Sequence, residues 1–296
     1  MNVTGLRAFH AVAQAGSFTR AAASTGLSQP TLSSQVRLLE AQHDASLFDR
    51  RGRGATLTEL GQQLFDVTTR LFAAEDDARA LLEGTRTLRR GHLRIAADSA
   101  THVMPVLAAL RGRIAGLTFS LKIDNSTNVL QQLLDYGADI AIGARNTSDP
   151  RIHSMFLRHD RLVLFVLKTH PLAKHSSIPA SELAGQNLVV RERGSITREV
   201  FETALATADV KPGELVEIQG REAVRETVAA GFGIGIVFES EFPADPAFHT
   251  LDVTGVDLTV TEYAACLEAR RRVPMVRRFL DLVREKAQLP AAAAGA

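Results

Sequence analysis

Residues 17–40 read SFTRAAASTGLSQPTLSSQVRLLE. The stretch reads as helix, a break at Gly26, then helix again. Ser17 suits the N-cap of the first helix, and Gly26 suits the left-handed residue that ends it near Thr25. Ser28 suits the next N-cap, with Pro30 in a first turn where a missing N–H costs nothing. Leu32, Val36 and Leu39 recur at helical spacing and give the second helix one buried face. Its leading face instead carries Ser28, Gln29, Pro30, Thr31 and Ser33. Upstream, Val3, Leu6, Phe9, His10 and Ala13 mark a further helix that Gly16 stops.

Two helices joined by a Gly-containing turn within about 25 residues match the helix-turn-helix plan. The second helix of that plan enters the DNA major groove by its N-terminal residues. Short polar side chains there let the backbone approach. Gln29 can pair with an adenine edge, and serine or threonine can serve base or phosphate. The candidate DNA contacts are Ser28, Gln29, Pro30, Thr31, Ser33, Ser34, Gln35 and Arg37. The plain alternative is a capped helix pair in a bundle.

The next forty residues favour the DNA-binding reading. Residues 47–57, LFDRRGRGATL, form a short two-stranded wing, with Gly52 and Gly54 permitting its turn. Arg50, Arg51 and Arg53 on that wing suit the phosphate backbone or the minor groove. Over residues 1–57, six arginines face three acidic residues, whereas the whole chain carries a formal charge of only +1. From Leu57 the apolar positions Leu57, Leu60, Leu64, Val67, Leu71, Ala74, Ala78 and Leu81 alternate steps of three and four. Thr85 and Leu88 continue the register. This heptad seam predicts a coiled coil with another helix.

Beyond RTLRRG the pattern changes. HLRIAA, LTFSLKI, DIAIGA, DRLVLFVLK, NLVVRE, residues 214–219, GIGIVF and VTEYAACLEA read as strands. Helical stretches alternate with most of them, and MVRRFLDLVREKA is a final amphipathic helix. Such alternation predicts a parallel sheet covered on both faces, here as two α/β lobes. The expected domains are 1–57, a linker helix 58–90, and 91–289. Lobe one takes about 91–160 plus 268–289 and lobe two 161–267, with crossings near Asp160 and Glu268. The tail 290–296 is expected to be disordered.

At 296 residues, 45% hydrophobic and 23% charged, the chain suits a protein of two or three domains. Its one cysteine, Cys266, permits no internal disulfide and fits a reducing compartment. It lies in the apolar run EYAACLEAR and reads as a small core residue. With no signal-peptide layout and no apolar run long enough for a bilayer, the expected location is the cytoplasm, with no membrane partner. The nine histidines show no metal-ligand spacing, so no metal and no cofactor is expected. GFGIG comes after a helix and precedes a strand, the reverse of a dinucleotide fingerprint.

Ligands of open parallel sheets bind beyond the strand C-termini, where helix N-termini point. Four polar helix starts are candidates: DSATH (98–102), NSTN (125–128), RGSITR (193–198) and GREA (220–223). If three or more face one cleft, they place Asp98, Ser99, Thr101, Asn125, Ser126, Thr127, Ser195 and Thr197 around an expected anion site. Arg145, Arg193 and Arg198 could add a charged fork. An amine on the ligand would need an acid such as Asp98, Glu222 or Glu239.

LRAFHAVAQAGSFTRAAASTGLSQPTLSSQVRLLEAQ, LFDRRGRGATLTELGQQL and GFGIGIV together resemble the LysR-type transcriptional regulators over essentially the whole chain. The resemblance implies a winged helix-turn-helix, a coiled-coil linker helix and a two-lobed α/β domain of the periplasmic-binding-protein type (type 2). It implies a non-enzymatic regulator that binds double-stranded promoter DNA with an imperfect dyad. It further implies dimers through the linker helix, assembled as dimers of dimers, and a small anionic co-inducer; RNA polymerase is a further partner it allows. Ser34 departs from the family, where a basic residue is frequent. His43-Asp44 replaces the usual Leu-Gly, but Asp tolerates the left-handed turn. NSTNVLQQLLDYGADIAIGA, GSITREVFE and GREAVRETVAAGFGIGIV look like the branch associated with 2-aminoethylphosphonate catabolism. A phosphonate such as that compound is therefore the expected effector, or else a carboxylate using the same cage. Two other readings stay open: a solute-binding protein that uses only the α/β lobes, and an enzyme acting in the cleft.

Overall fold

Each predicted break in the N-terminal segment falls where a cap satisfies a helix end. The computed structural model describes residues 2–49, 55–84 and 90–287. Helix α1 (Val3–Ala15) ends at Gly16, φ 61°, and α2 (Phe18–Thr25) at Gly26, φ 70°. Ser17 and Ser28 accept the Arg20 and Thr31 backbone N–H groups, opening α2 and α3 (Gln29–Gln42). Asp44 takes the left-handed turn after α3 at φ 46°. Leu6, Phe9, Val12, Ala21, Leu32, Val36 and Leu39 close one small core with Leu47, Phe48 and Phe72. Glu40 is buried in it, where its carboxylate accepts the Leu47 N–H at 2.8 Å and ties α3 to the wing.

The wing pairs β1 (Phe48–Asp49) with β2 (Thr56–Leu57) antiparallel, Phe48 opposite Leu57. Its turn, with Arg50, Arg51, Gly52, Arg53 and Gly54, lies outside the described residues. Helix α4 (Glu59–Gly84) comes next. Thr58 caps it, accepting the Gly61 N–H at 3.0 Å. Gly61 is required there, since a Cβ would stand 2.1 Å from the Leu47 carbonyl oxygen. Two apolar faces run along α4. Phe65, Thr68 and Phe72 pack on the small core, with the His10 ring stacked on Phe65. The other face is the heptad seam: Leu60, Val67 and Leu71 are 48%, 49% and 38% exposed, and Ala74 and Ala78 are exposed beside them. Leu64 is half-buried. The Leu81 side chain, Thr85 and Leu88 lie outside the described residues.

Most of the chain from Gly84 onward builds a second compact unit. Its first stretch holds β3 (Arg90–Ala97), α5 (Ala100–Arg113), β4 (Gly116–Ile123), α6 (Ser126–Leu134) and β5 (Ile140–Gly143). A 16-residue strand, β6 (Ile152–Leu167), succeeds them. Then come β7 (Ser177–Pro179), β8 (Leu188–Arg191), α7 (Ile196–Thr207), β9 (Leu215–Ile218), α8 (Arg221–Ala229), β10 (Ile234–Phe238), β11 (Phe248–Thr254), β12 (Thr259–Leu267) and α9 (Pro274–Ala287). The main strand order is β4-β3-β5-β12-β6-β10-β8-β9.

That order corrects two expectations. The sheet is mixed, because β6 and β12 run antiparallel to each other and to their outer neighbours β10 and β5. Strand β6 does carry the chain between lobes at Asp160–Arg161, since it pairs with β12 up to Arg161 and with β10 from Leu162. The return comes within the first residues of β12 rather than near Glu268, because Leu258 and Val260 still fill the second core while Ala264 and Cys266 fill the first. Apolarity alone did not say which sheet β12 would join. Its Ala264 and Cys266 fill the first core with Leu93, Ile95, Leu110, Ile142 and Phe279. The second core gathers Leu164, Leu188, Phe201, Ile234 and Phe238. Burial pushes the Cys266 thiol up to about 12, as suits an inert core residue. Among the described residues no helix is long and apolar enough to cross a membrane.

Candidate nucleic-acid interface and effector cleft

The tip of α3 is anchored from behind. Leu32 and Val36 are fully buried, which turns the opposite face outward. Ser28, Gln29, Pro30, Thr31, Ser34 and Arg37 are exposed there, and Ser33 and Gln35 are half-buried. The Ser28 hydroxyl is engaged, capping Thr31 N at 3.2 Å and sharing a 2.7 Å hydrogen bond with the Thr31 hydroxyl. Gln29 projects from the first turn of α3, where the helix dipole favours phosphate. Arg50, Arg51 and Arg53 lie outside the described residues.

In the second unit the four polar helix starts meet. At the end of β3, the Asp98 Oδ2 accepts the Ser126 hydroxyl at 2.9 Å and the Ala144 N–H at 3.1 Å, joining the starts of α5 and α6. Gly143 admits that carboxylate, since a Cβ would come within 2.7 Å of it. The Thr127 N–H and hydroxyl both donate to the Gly194 carbonyl at 3.3 Å, bringing in α7. Arg221, the first residue of α8, donates to the Asp98 carbonyl. Ser99 and Asn125 are spent on capping α5 and α6, and Ser99, Ser126, Ser195 and Thr197 are buried. Thr101, Thr127 and Arg193 remain exposed. Neither Ser195 nor Gly220 caps its helix by a side chain, so the first N–H groups of α7 and α8 have none.

The expected fork of arginines does not form. Arg145 pairs with Glu199. Arg198 is committed to Glu202 at 2.7 Å, to Glu217 and to the Arg191 carbonyl. Of the acids expected to meet an amine, Glu222 is exposed on α8, and Glu239 is held by Arg161 at 2.6 Å. Asp98 alone is buried at the meeting of these helix starts.

A group of buried ionisable residues has no counterpart among the sequence expectations. His102, in the first turn of α5, is buried with Asp160 of β6, Glu262 of β12 and Glu241, whose side chain is only 2% exposed. The His102 Nε2 hydrogen-bonds the Ser240 hydroxyl at 3.0 Å and stands 3.5 Å from Asp160. Its Nδ1 lies 3.5 Å from Glu262 Oε1 and 4.0 Å from Glu241 Oε1, without a hydrogen bond. Arg221 Nε meets Glu241 at 2.5 Å. Burial would lower the His102 pKa, but the neighbouring Asp160, Glu262 and Glu241 carboxylates raise it to about 9. Burial and the Asp98 charge push Glu262 up to about 7 against the opposing pull of His102. Asp160 resists its burial and falls to about 2 through His102, Ser240 and Arg161. The available signal was a glutamate at an inward position of the apolar strand VTEYAACL, and a histidine in phase with Val103, Val106 and Leu110.

A helix-turn-helix with an outward polar tip, a helix with an exposed heptad face and a two-lobed α/β unit are the parts of a regulator that carries an effector-binding domain. Comparisons with known proteins assign the family. Residues 3–70 match the bacterial regulatory helix-turn-helix protein, lysR family, and residues 86–288 match the LysR substrate binding domain. The chain belongs to the LysR family of transcriptional regulators. It is 30% identical over 288 residues to the RuBisCO operon transcriptional regulator of Allochromatium vinosum, covering 95% of each chain. Full-length CbnR, solved in complex with its target DNA, shares the fold at TM-score 0.71 and 21% identity, over 97% of this chain and all of that one. The regulatory domain of Synechocystis PCC6803 CcmR, solved with 2-PG, matches 68% of this chain and all of that domain at TM-score 0.61 and 24% identity.

Proposed function

We propose that the protein regulates transcription by placing two α3 tips in adjacent major grooves and changing their spacing when a small acid binds between the α/β lobes. The observation that carries the first half is the polar tip of α3, turned outward by buried Leu32 and Val36. Gln29, Thr31, Ser33, Ser34, Gln35 and Arg37 are the contacts assigned to the groove, with Arg50, Arg51 and Arg53 on phosphate or the minor groove. The exposed Leu60–Val67–Leu71 face supports pairing of α4 with a second copy. The assembly is then a dimer of dimers on an imperfect dyad, located in the cytoplasm and acting on RNA polymerase.

The effector half rests on the meeting of four helix starts. The Thr101 hydroxyl, the N–H groups opening α7 and α8, and Arg193 present donors to an anion. The fold-mate CcmR holds 2-PG, a small ligand. A phosphonate such as 2-aminoethylphosphonate and a carboxylate would use the same donors. Regulation requires only that the ligand bind one assembly better than the other.

The test is a footprint of the protein on its own promoter region, with and without a panel of phosphonates and small carboxylates. The expected results are two protected half-sites, affinity that falls with salt, and a footprint whose span changes with one class of acid. Affinity unaltered by R50A plus R51A would overturn the DNA reading. A footprint unchanged across the panel, with no ligand-induced rise in thermal stability, would overturn the effector reading.

A further inference from the structure

We propose that Asp98, His102 and Glu262 form a divalent-cation site where the chain crosses between the two lobes. The three come from separate elements: the end of β3, the first turn of α5 and the middle of β12. All are buried, Glu262 completely. One donor atom from each lies within 4.8 Å of the other two. Three atoms so spaced share a point at most about 2.8 Å from each, so a shift of no more than about 0.8 Å reaches metal–ligand distances of about 2.0–2.6 Å.

The unused atoms point to a cation. Asp98 Oδ1, His102 Nδ1 and both Glu262 oxygens are buried without a hydrogen-bond partner. Such groups are costly unless something satisfies them. Every other polar atom of the three is occupied in a way that aims the unused one inward. Asp98 Oδ2 is taken by Ser126 and Ala144. The His102 Nε2 faces the Ser240 hydroxyl and the Asp160 carboxylate, the outer partner that orients a ligating imidazole. Charge agrees. Arg221 neutralises Glu241, and Arg158 lies 3.7 Å from Asp160. Binding would displace the proton that His102 carries in the unoccupied site; Asp98 and Glu262 then leave two negative charges beside a neutral imidazole, which a divalent ion balances. Glu241 Oε1, 4.0 Å from His102 Nδ1, is within reach as a fourth ligand.

The donor set selects among ions. One imidazole nitrogen with carboxylates and no thiolate suits Mn²⁺ or Zn²⁺ rather than a soft ion. The spacing of the donors suits a bare ion, not an organic group. Glu262 also sits at the register shift of β12 against β6, the two strands that link the lobes. A bound cation would therefore brace the hinge that any lobe closure must bend.

The experiment uses the full chain, stripped with EDTA, dialysed, and titrated calorimetrically with Mn²⁺ and separately with Zn²⁺. The expected result is one ion per chain, a rise in the melting temperature of the second unit, and loss of the free Mn²⁺ EPR signal at one equivalent. E262Q and H102Q should each weaken binding at least tenfold, whereas E222Q, at an exposed position, should not. In the stripped protein E262Q should itself melt higher than the parent, since it removes a buried charge, while no longer responding to metal. That pair of opposite changes separates a ligand from a residue needed only for folding. Absence of stoichiometric binding of either ion, or binding that E262Q and D98N both leave intact, would overturn the proposal. Neither result depends on which acid the cleft takes, so failure here leaves the effector reading untouched.

Discussion

Replacing Asp139 by asparagine tests how the first lobe is held. Asp139 precedes β5 and is buried. Its carboxylate accepts the Arg94 backbone N–H at 2.8 Å, the Arg94 side chain at 2.7 and 3.2 Å, and Arg270 at 2.6 Å. Arg270, in the turn after β12, is also buried. The clamp thus joins β3, β5 and the end of β12. Burial would raise the Asp139 pKa, but the Arg94 and Arg270 guanidiniums win and hold it below its usual 3.8. D139N keeps the shape and removes the charge between two arginines. Loss of one member of a buried ion pair costs about 3–5 kcal/mol. At about 2–4 °C per kcal/mol for a unit of this size, the melting temperature of the second unit should fall by roughly 10 °C. The same shift sets the pH dependence. A depressed folded pKa contributes stability above the unfolded value, and that contribution is lost as pH falls through the folded one. D139N should therefore flatten the acid limb of the stability curve below about pH 4. Urea unfolding by circular dichroism gives the total, and hydrogen exchange across β3 and β5 assigns it to this lobe. Adding R270M to D139N should recover part of the loss, because it removes one of the two guanidiniums that Asp139 neutralised. A D139N protein within about 1 kcal/mol of the parent at pH 7, with its acid limb unchanged, would refute the reasoning.

The remaining expectations concern the first unit. Q29A should weaken promoter binding by about 1–3 kcal/mol without altering its salt dependence, whereas R37A should lower the salt slope by about one; fluorescence anisotropy across salt concentrations reads both. V67E with L71E puts like charges into the exposed seam of α4 and should shift the protein towards monomer in sedimentation velocity, with its helix content retained. G61A drives a Cβ into the Leu47 carbonyl at 2.1 Å and should destabilise the wing and α4 packing by about 1–3 kcal/mol, measured by urea midpoint.

Much of this was legible from local signals. Ser17, Gly26 and Ser28 act on the N–H and C=O groups of their own helix ends, so the breaks between α1, α2 and α3 could be read from neighbouring residues alone. The α4 seam was legible because its period is local, and the structure leaves Leu60, Val67 and Leu71 exposed where that period placed them. The helix starts 98–102, 125–128, 193–198 and 220–223 were found one at a time by their capping residues. Their meeting was only a conditional expectation. It depends on Thr127 reaching Gly194 and Arg221 reaching Asp98 across many residues of chain.

The failures share that origin. Arg145 and Arg198 looked like free donors because Glu199, Glu202 and Glu217 become their partners only through helix phase and strand pairing. His102, Asp160 and Glu262 looked unrelated, because nothing in a one-dimensional pattern brings α5, β6 and β12 to one point. By itself the sequence determined what most short segments would become, helix, strand, cap or seam, though not β7, β11 or the first half of β6, and with them the class of protein. Only the tertiary structure decided which charges would meet and where the chain would return between the lobes. Local hydrogen bonding and periodicity act over a few residues, whereas ion-pair choice and sheet order are settled by the packing of distant segments into a shared core.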